Sequence, residues 1–237
     1  MTTDPGSEDV AARLARIRER IALAAARAGR SDEANLVAVT KGVDIERIRA
    51  AWSAGQRMFG ENRLQEALLK IGILPDAEWH LIGHLQTNKA ASAARSFALI
   101  QSVDSTRLAL KLGVAGERLR RTVPVLVEVN IAGEQSKTGF APEGLDMVLE
   151  QLAGIGGLEL RGLMTVAPLV GNPGDIRWVF RELRQMRDRT RSSLRLESLS
   201  ELSMGMSDDF EVAVEEGATM VRIGRAIFGA RPALEAS

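Results

Sequence analysis

The chain has 237 residues, with Lys+Arg and Asp+Glu both at 31 and neither cysteine nor tyrosine. Zero formal net charge argues against a protein whose main task is neutralising a nucleic-acid backbone, while leaving room for a local pocket that takes one small anion. The missing cysteines exclude disulfides, thiolate nucleophiles and Cys-ligated metals and suit a reducing cytosol, and the missing tyrosines remove one common proton donor.

Residues 1–9 are polar and acidic, lack the basic and apolar regions of a secretory signal, and read as a disordered leader. Val10, Leu14, Ile17, Ile21 and Ala24 then recur at helical spacing, with Gly29 placed to stop the helix. From residue 35 the chain repeats one pattern: a short apolar run, a loop, an amphipathic helical stretch. Strands are expected at 36–40, 57–59, 79–82, 99–101, 123–129, 159–165, 198–203 and 219–223. Asp44 is placed to cap a helix over 45–54 that Gly55 ends; Asp104 and Ser105 open 106–112, and Asp175 opens 176–191. In that last helix Trp178, Leu183 and Met186 should turn inward and the arginines outward. Ser207-Asp208-Asp209 opens the next one, its two acids suited to the positive end of a helix dipole.

Eight strands alternating with helices require parallel pairing, because each crossover returns the chain in the same direction. The expectation is an α/β fold: one (β/α)₈ barrel of the TIM type spanning 1–237, with an extra N-terminal helix. An open doubly wound sheet is the alternative. No apolar run is long enough to span a bilayer. Neither a membrane nor a nucleic acid is expected as partner, and the expected state is a cytoplasmic monomer.

A barrel of this kind carries its chemistry at the C-terminal ends of its strands. Lys41, Asn62, His84, Asp104, Asn130, Thr165, Ser203 and Arg222 all fall just past an expected strand, so one mouth is able to collect them. Lys41 ends the run Leu36-Val37-Ala38-Val39-Thr40, a strand apolar enough to be buried on both faces. Partial desolvation there would free the neutral amine that attacks carbonyls, although a lysine at a strand end also simply reaches solvent. The segments after strands seven and eight, 203–209 and 222–225, offer Ser207 and the glycines Gly205 and Gly224 for a phosphate, or they are ordinary turns and caps. Gly154-Ile155-Gly156-Gly157 precedes a strand, so it is not a dinucleotide fingerprint. His80 and His84 sit on a strand and its loop, a poor geometry for a metal, and none is expected. Met164, Met204 and Met206 read as core or pocket lining.

Taken together, Val39-Thr40-Lys41, Phe59-Gly60-Glu61-Asn62, residues 79–89, Arg161-Gly162-Leu163-Met164, residues 202–209 and Val221-Arg222-Ile223-Gly224 resemble the pyridoxal phosphate (PLP) homeostasis proteins, which look like the isolated barrel domain of alanine racemase. The resemblance implies a PLP Schiff base on Lys41, a phosphate held by Ser207 and the backbone around Gly224, Arg222 facing the pyridine nitrogen, and Asn62, Met164 and Met204 lining the cofactor. Ser203, ending strand seven, joins that set. Two positions depart from the family pattern: Arg63 stands where tyrosine is usual, and Arg225 where threonine is usual. The second removes a phosphate hydroxyl for which a guanidinium is able to substitute.

PLP is a strong electron sink when its ring nitrogen is protonated, and an arginine there keeps the proton away. Racemisation in the resembling enzyme also uses a tyrosine from a separate domain, and this chain has no tyrosine. The resemblance therefore implies a PLP carrier without catalytic residues, with apo PLP-enzymes as recipients. A weak amino-acid racemase and a cofactor-free Schiff-base aldolase are the alternatives.

Overall fold

The computed structural model describes residues 5–229. Eight strands pair in chain order, each parallel to the next: β1 (Asn35–Val39), β2 (Met58–Glu61), β3 (Glu78–Leu81), β4 (Leu99–Val103), β5 (Val123–Glu128), β6 (Leu158–Met164), β7 (Glu201–Ser203) and β8 (Met220–Ile223). β8 pairs back onto β1 through Asn35 to Met220 and Ala38 to Ile223, which closes the barrel. Helix α1 (Pro5–Arg27) precedes it. The outer ring is α2 (Ile45–Ser53), α3 (Leu64–Ile73), α4 (Ala90–Ser96), α5 (Thr106–Leu119), α6 (Leu145–Ala153), α7 (Arg177–Leu194), α8 (Phe210–Glu215) and α9 (Arg225–Phe228). The closed barrel decides against the open sheet.

The strands are apolar on both faces because helices cover one face and the barrel interior the other. Along β1, Leu36 and Ala38 join the layer under the helices, while Val37 joins an inner cluster with Leu99, Leu126, Met164 and Met220. The period of two sorts the strands this way, except where irregular pairing in β4 and β6 puts Ile100 with Val103 and Leu160 with Leu163 in the same outer layer. α1 buries the expected stripe of Val10, Leu14, Ile17, Ile21 and Ala24 against α2, α8 and α9, the helices flanking the β8–β1 seam in the chain. Each large aliphatic side chain buried there contributes about 1.5–3 kcal/mol. Of the expected disordered leader, residues 1–4 lie outside the described residues, and α1 already runs from Pro5.

Four features depart from the sequence expectation. α5 continues to Leu119, past the 106–112 read from sequence, because Gly113 and Gly116 are contact points and not stops. A Cβ on Gly116 would meet the Gly157 carbonyl at 2.2 Å, so the glycines let α5 lie on the turn before β6. The start of α7 is preceded by a 3₁₀ turn, Pro173–Ile176, which the Asn172 side chain caps at Gly174 N–H in place of Asp175. The buried stripe of α7 is Val179, Phe180, Leu183, Met186 and Thr190, which leaves Trp178 exposed and off the stripe. Strand seven starts at Glu201 and not at 198, since Ser198–Ser200 turns on itself through Ser200 N–H to Ser198 O.

Candidate functional site

The C-terminal mouth of the barrel holds a cavity of about 320 Å³, within the size range of small-ligand sites. Its walls come from four places. Lys41, Asn62 and Ile82 stand at the ends of β1, β2 and β3; the β6–α7 loop brings Pro168 to Val170; the β7–α8 loop brings Met206 to Asp209; β8 and its loop bring Arg222, Gly224 and Arg225. A second cavity, about 260 Å³ between α1 and the N-terminal ends of β1 and β2, collects none of the mouth residues.

Lys41 is half-buried and follows directly on β1. The backbone on both sides of it is clamped by buried charge. Lys70 Nζ, from α3, donates to Thr40 O at 2.7 Å, to Glu61 Oε1 at 2.6 Å and to Glu66 Oε1 at 2.8 Å. Glu66 Oε1 in turn accepts the Gly42 N–H at 2.7 Å. Burial pushes the Glu61 carboxyl up from its ordinary value, against the hydrogen bonds of Lys70 and Thr40, and its Oε2 accepts no hydrogen bond. At Glu66 burial also pushes up, but the hydrogen bonds from Lys70 and Gly42 outweigh it and hold the carboxyl low. Asn62 comes directly after Glu61, just past the end of β2, and is packed by the next loop: a Cβ on Gly83 would meet Asn62 O at 2.5 Å.

Arg222 faces the cavity from β8 and is almost wholly buried. Desolvation lowers its guanidinium to about 10, partly opposed by the charges of Asp209 and Glu128, so it remains a cation at neutral pH. It donates to Ser203 Oγ at 2.6 Å and to Thr165 O at 2.8 Å. Burial raises both nearby carboxyls, Glu128 against a hydrogen bond from Thr138 and Asp209 against one from Met206 N–H. Across the mouth Asp208 and Arg225 form an ion pair that ties the β7–α8 loop to the β8–α9 loop. Ser207 Oγ lies between the same two loops, 3.5 Å from Ala226 N.

The eight polar residues read from the sequence therefore divide. Lys41, Asn62 and Arg222 line the cavity. Ser203 and Thr165 lie behind Arg222 as hydrogen-bond partners. His84 pairs with Asp104 at 2.7 Å, and Asn130 closes a turn onto Glu134, both apart from the cavity wall. Of the remaining expected site residues, Ser207 and Gly224 are in the wall and Met164 sits in the inner cluster. Met204 does not reach the site: its parity on the strand-seven line sends it outward into the layer under the helices, and Met206 lines the cavity instead. Among the described residues no group of acids and histidines could hold a metal ion. No helix among them is long and apolar enough to cross a membrane.

Sequence reading missed the Lys70 clamp and Gln101. Glu66 and Lys70 show only an i,i+4 spacing, which reads as a solvated helix pair. Gln101 had a usable signal, a large amide inside an apolar strand.

Comparison with known proteins supplies a frame for this geometry. Residues 12–232 match the family described as alanine racemase, N-terminal domain. The chain is 44% identical over 222 residues to the pyridoxal phosphate homeostasis protein of Aquifex aeolicus, covering 92% of this chain and 97% of that one. It is 40% identical over 231 residues to the protein of the same description from Escherichia coli K12, covering 94% and 97%. Among solved structures it is similar to PipY of Synechococcus elongatus with PLP bound, at a TM-score of 0.82 and 38% identity over 93% of this chain and all of the other. Alanine racemase of Clostridium difficile shares the fold alone, at 13% identity and a TM-score of 0.76 over 97% of this chain and 59% of that one.

Proposed function

The chain belongs to the alanine racemase N-terminal domain family, with the pyridoxal phosphate homeostasis proteins among its relatives, and on that premise we propose that it binds PLP at the barrel mouth and serves in PLP homeostasis as a carrier. The observation that carries the reading is the pairing of Lys41 with Arg222 in one cavity.

The donor set there fits the group. A half-buried primary amine, a buried cation, and a rim of Ser207, the Gly224 backbone and Arg225 match an aldehyde, a pyridine nitrogen and a phosphate. When bound, PLP supplies an electrophilic carbon and an electron-withdrawing ring. Lys41 is its covalent tether, held at a fixed height by the clamp on Thr40 and Gly42. Arg222 meets the ring nitrogen. A guanidinium only donates hydrogen bonds, so the nitrogen stays unprotonated and the site is a poor sink for a substrate carbanion. Asn62 supports the ring edge, and the β6–α7 loop with Leu169 and Val170 limits water from one side. The chain has no tyrosine to serve as a second proton donor, which supports holding and release over turnover. Apo PLP-enzymes are the recipients this reading implies.

Titration with PLP, followed by visible absorbance, tests it. Wild type is expected to bind with a new absorption band, and Lys41→Ala to lose that band and at least about tenfold in affinity, or about 1.4 kcal/mol. An unchanged band and affinity in Lys41→Ala would contradict the proposal.

A further inference from the structure

The barrel interior below the cavity is not wholly apolar. His80, Gln101 and Ser203 are fully buried there, and with Arg222 and Glu78 they form one continuous chain of hydrogen bonds. Arg222 NH1 meets Ser203 Oγ at 2.6 Å, Ser203 Oγ meets Gln101 Oε1 at 2.6 Å, Gln101 Nε2 meets His80 Nδ1 at 2.8 Å, and His80 Nε2 meets Glu78 Oε1 at 2.9 Å. Five residues on four strands thus connect the functional mouth to the opposite one.

The direction of this chain is fixed by chemistry. Arginine has no acceptor, so Ser203 must accept from it and spend its own proton on Gln101 Oε1. The Gln101 amide then points its NH₂ at His80 Nδ1 and at Met220 Sδ, 3.7 Å away. With Nδ1 accepting, the ring proton of His80 is on Nε2 and is donated to Glu78. The chain starts at a group that only donates and ends at a carboxylate that only accepts. That carboxylate is held below its usual range by the hydrogen bond from His80. A reversed amide would set its oxygen against Met220 Sδ and an unprotonated ring nitrogen, so one arrangement satisfies every member.

Such a chain is more than packing. Side chains of similar volume without polar atoms would fill the interior at less risk, because a partly satisfied buried network costs more than an apolar one. What the polar chain adds is orientation. Two of the Arg222 nitrogens are committed, one to Ser203 and one to Thr165 O, and this sets the plane of the guanidinium toward the cavity. Glu78 has a side chain 44% exposed, and it edges a separate cavity of about 220 Å³ that Arg161 and Glu201 also line.

We infer that Ser203, Gln101, His80 and Glu78 are a positioning relay that fixes the orientation in which Arg222 meets its ligand and couples the cavity to the far mouth of the barrel. The inference rests on the PLP reading for the identity of the ligand, and on nothing but the protein for the coupling.

The experiment has two arms. In the cofactor-free protein, ¹⁵N NMR should find the His80 proton on Nε2. Glu78→Ala, a change at a half-exposed side chain, should shift both the His80 resonances and the Arg222 side-chain resonance across the barrel. In the PLP arm, Gln101→Leu and Ser203→Ala should each weaken PLP about tenfold and move its absorption maximum. Ser203→Thr, which keeps the hydroxyl, should restore both, and Glu78→Ala should weaken PLP about threefold. A merely structural role would lower the melting temperature while leaving the band in place. His80 protonated on Nδ1, or an Arg222 resonance unmoved by Glu78→Ala, overturns the relay whether or not PLP binds. Failure of wild type to bind PLP, with the resonances coupled as expected, overturns the ligand reading and leaves the relay standing.

Discussion

The two faces of the barrel sheet hold different kinds of core. The layer between strands and helices is continuous and apolar, with Phe59, Trp79, Phe180 and Phe210 among its largest buried side chains. Inside the barrel the apolar cluster is small, Val37, Leu99, Leu126, Met164 and Met220, and it shares the space with His80, Gln101, Ser203 and Arg222. The outer layer can be large because helices shield it all round. The inner layer is narrow and opens at the mouth where a ligand would meet it. The contrast assigns stability mainly to the outer face and ligand geometry mainly to the inner one.

The largest expected effect breaks the outer layer. Phe180→Ala removes a fully buried ring from α7 and should cost about 3–5 kcal/mol, seen as a much lower melting temperature with the PLP absorption maximum in place. A spectral shift without loss of stability would dissolve the distinction between the two layers.

Smaller effects come from acid. On the outer rim Glu215 is held low by a hydrogen bond from Arg177 and, after the opposing effect of burial, by Arg27. A carboxyl whose folded value is depressed contributes stability that is present above its unfolded value near 4.3 and lost as pH falls through the folded value. Glu215→Gln should therefore flatten the acid limb of the stability curve, by well under about 1 kcal/mol for a surface pair. Asp209 at the mouth has the opposite sign. Burial raises it, so its ionised form disfavours the folded state at neutral pH, and the penalty fades as pH falls through the raised folded value toward the unfolded one near 3.9. Asp209→Asn should stabilise the protein slightly at pH 7 and not at pH 3. Urea unfolding at the two pH values checks both, and equal signs for the two variants would contradict the contrast.

The outer layer was also the more legible part of the sequence. The α1 stripe from Val10 to Ala24 follows from helical periodicity and the eight strands from short apolar runs, because burial under helices imposes the first and burial on both faces the second. The expected end of α5 at 112 fell short because tertiary contact overrides propensity there: Gly113 is the surface on which the Ile155 turn rests. In α7 the expected Leu183 and Met186 are on the buried stripe, and only Trp178, in the first turn after the 3₁₀ segment, stands off it and exposed. At the mouth, positions after strands found Lys41, Asn62 and Arg222. Met204 was assigned by motif, although the alternation through Leu202 and Ser203 already pointed it outward. Lys70 was out of reach, because only the β2–α3 crossover brings its amine back to Thr40 O.

The central claim is that Lys41, rather than any other amine, holds the cofactor. Borohydride reduction of the PLP-loaded protein, followed by proteolysis and mass mapping, tests it directly. The account predicts a single stable pyridoxyl adduct on the peptide that contains Lys41, with Lys70 unmodified in its clamp. An adduct on another lysine with Lys41 untouched, or reduction that leaves no covalent label, would contradict it.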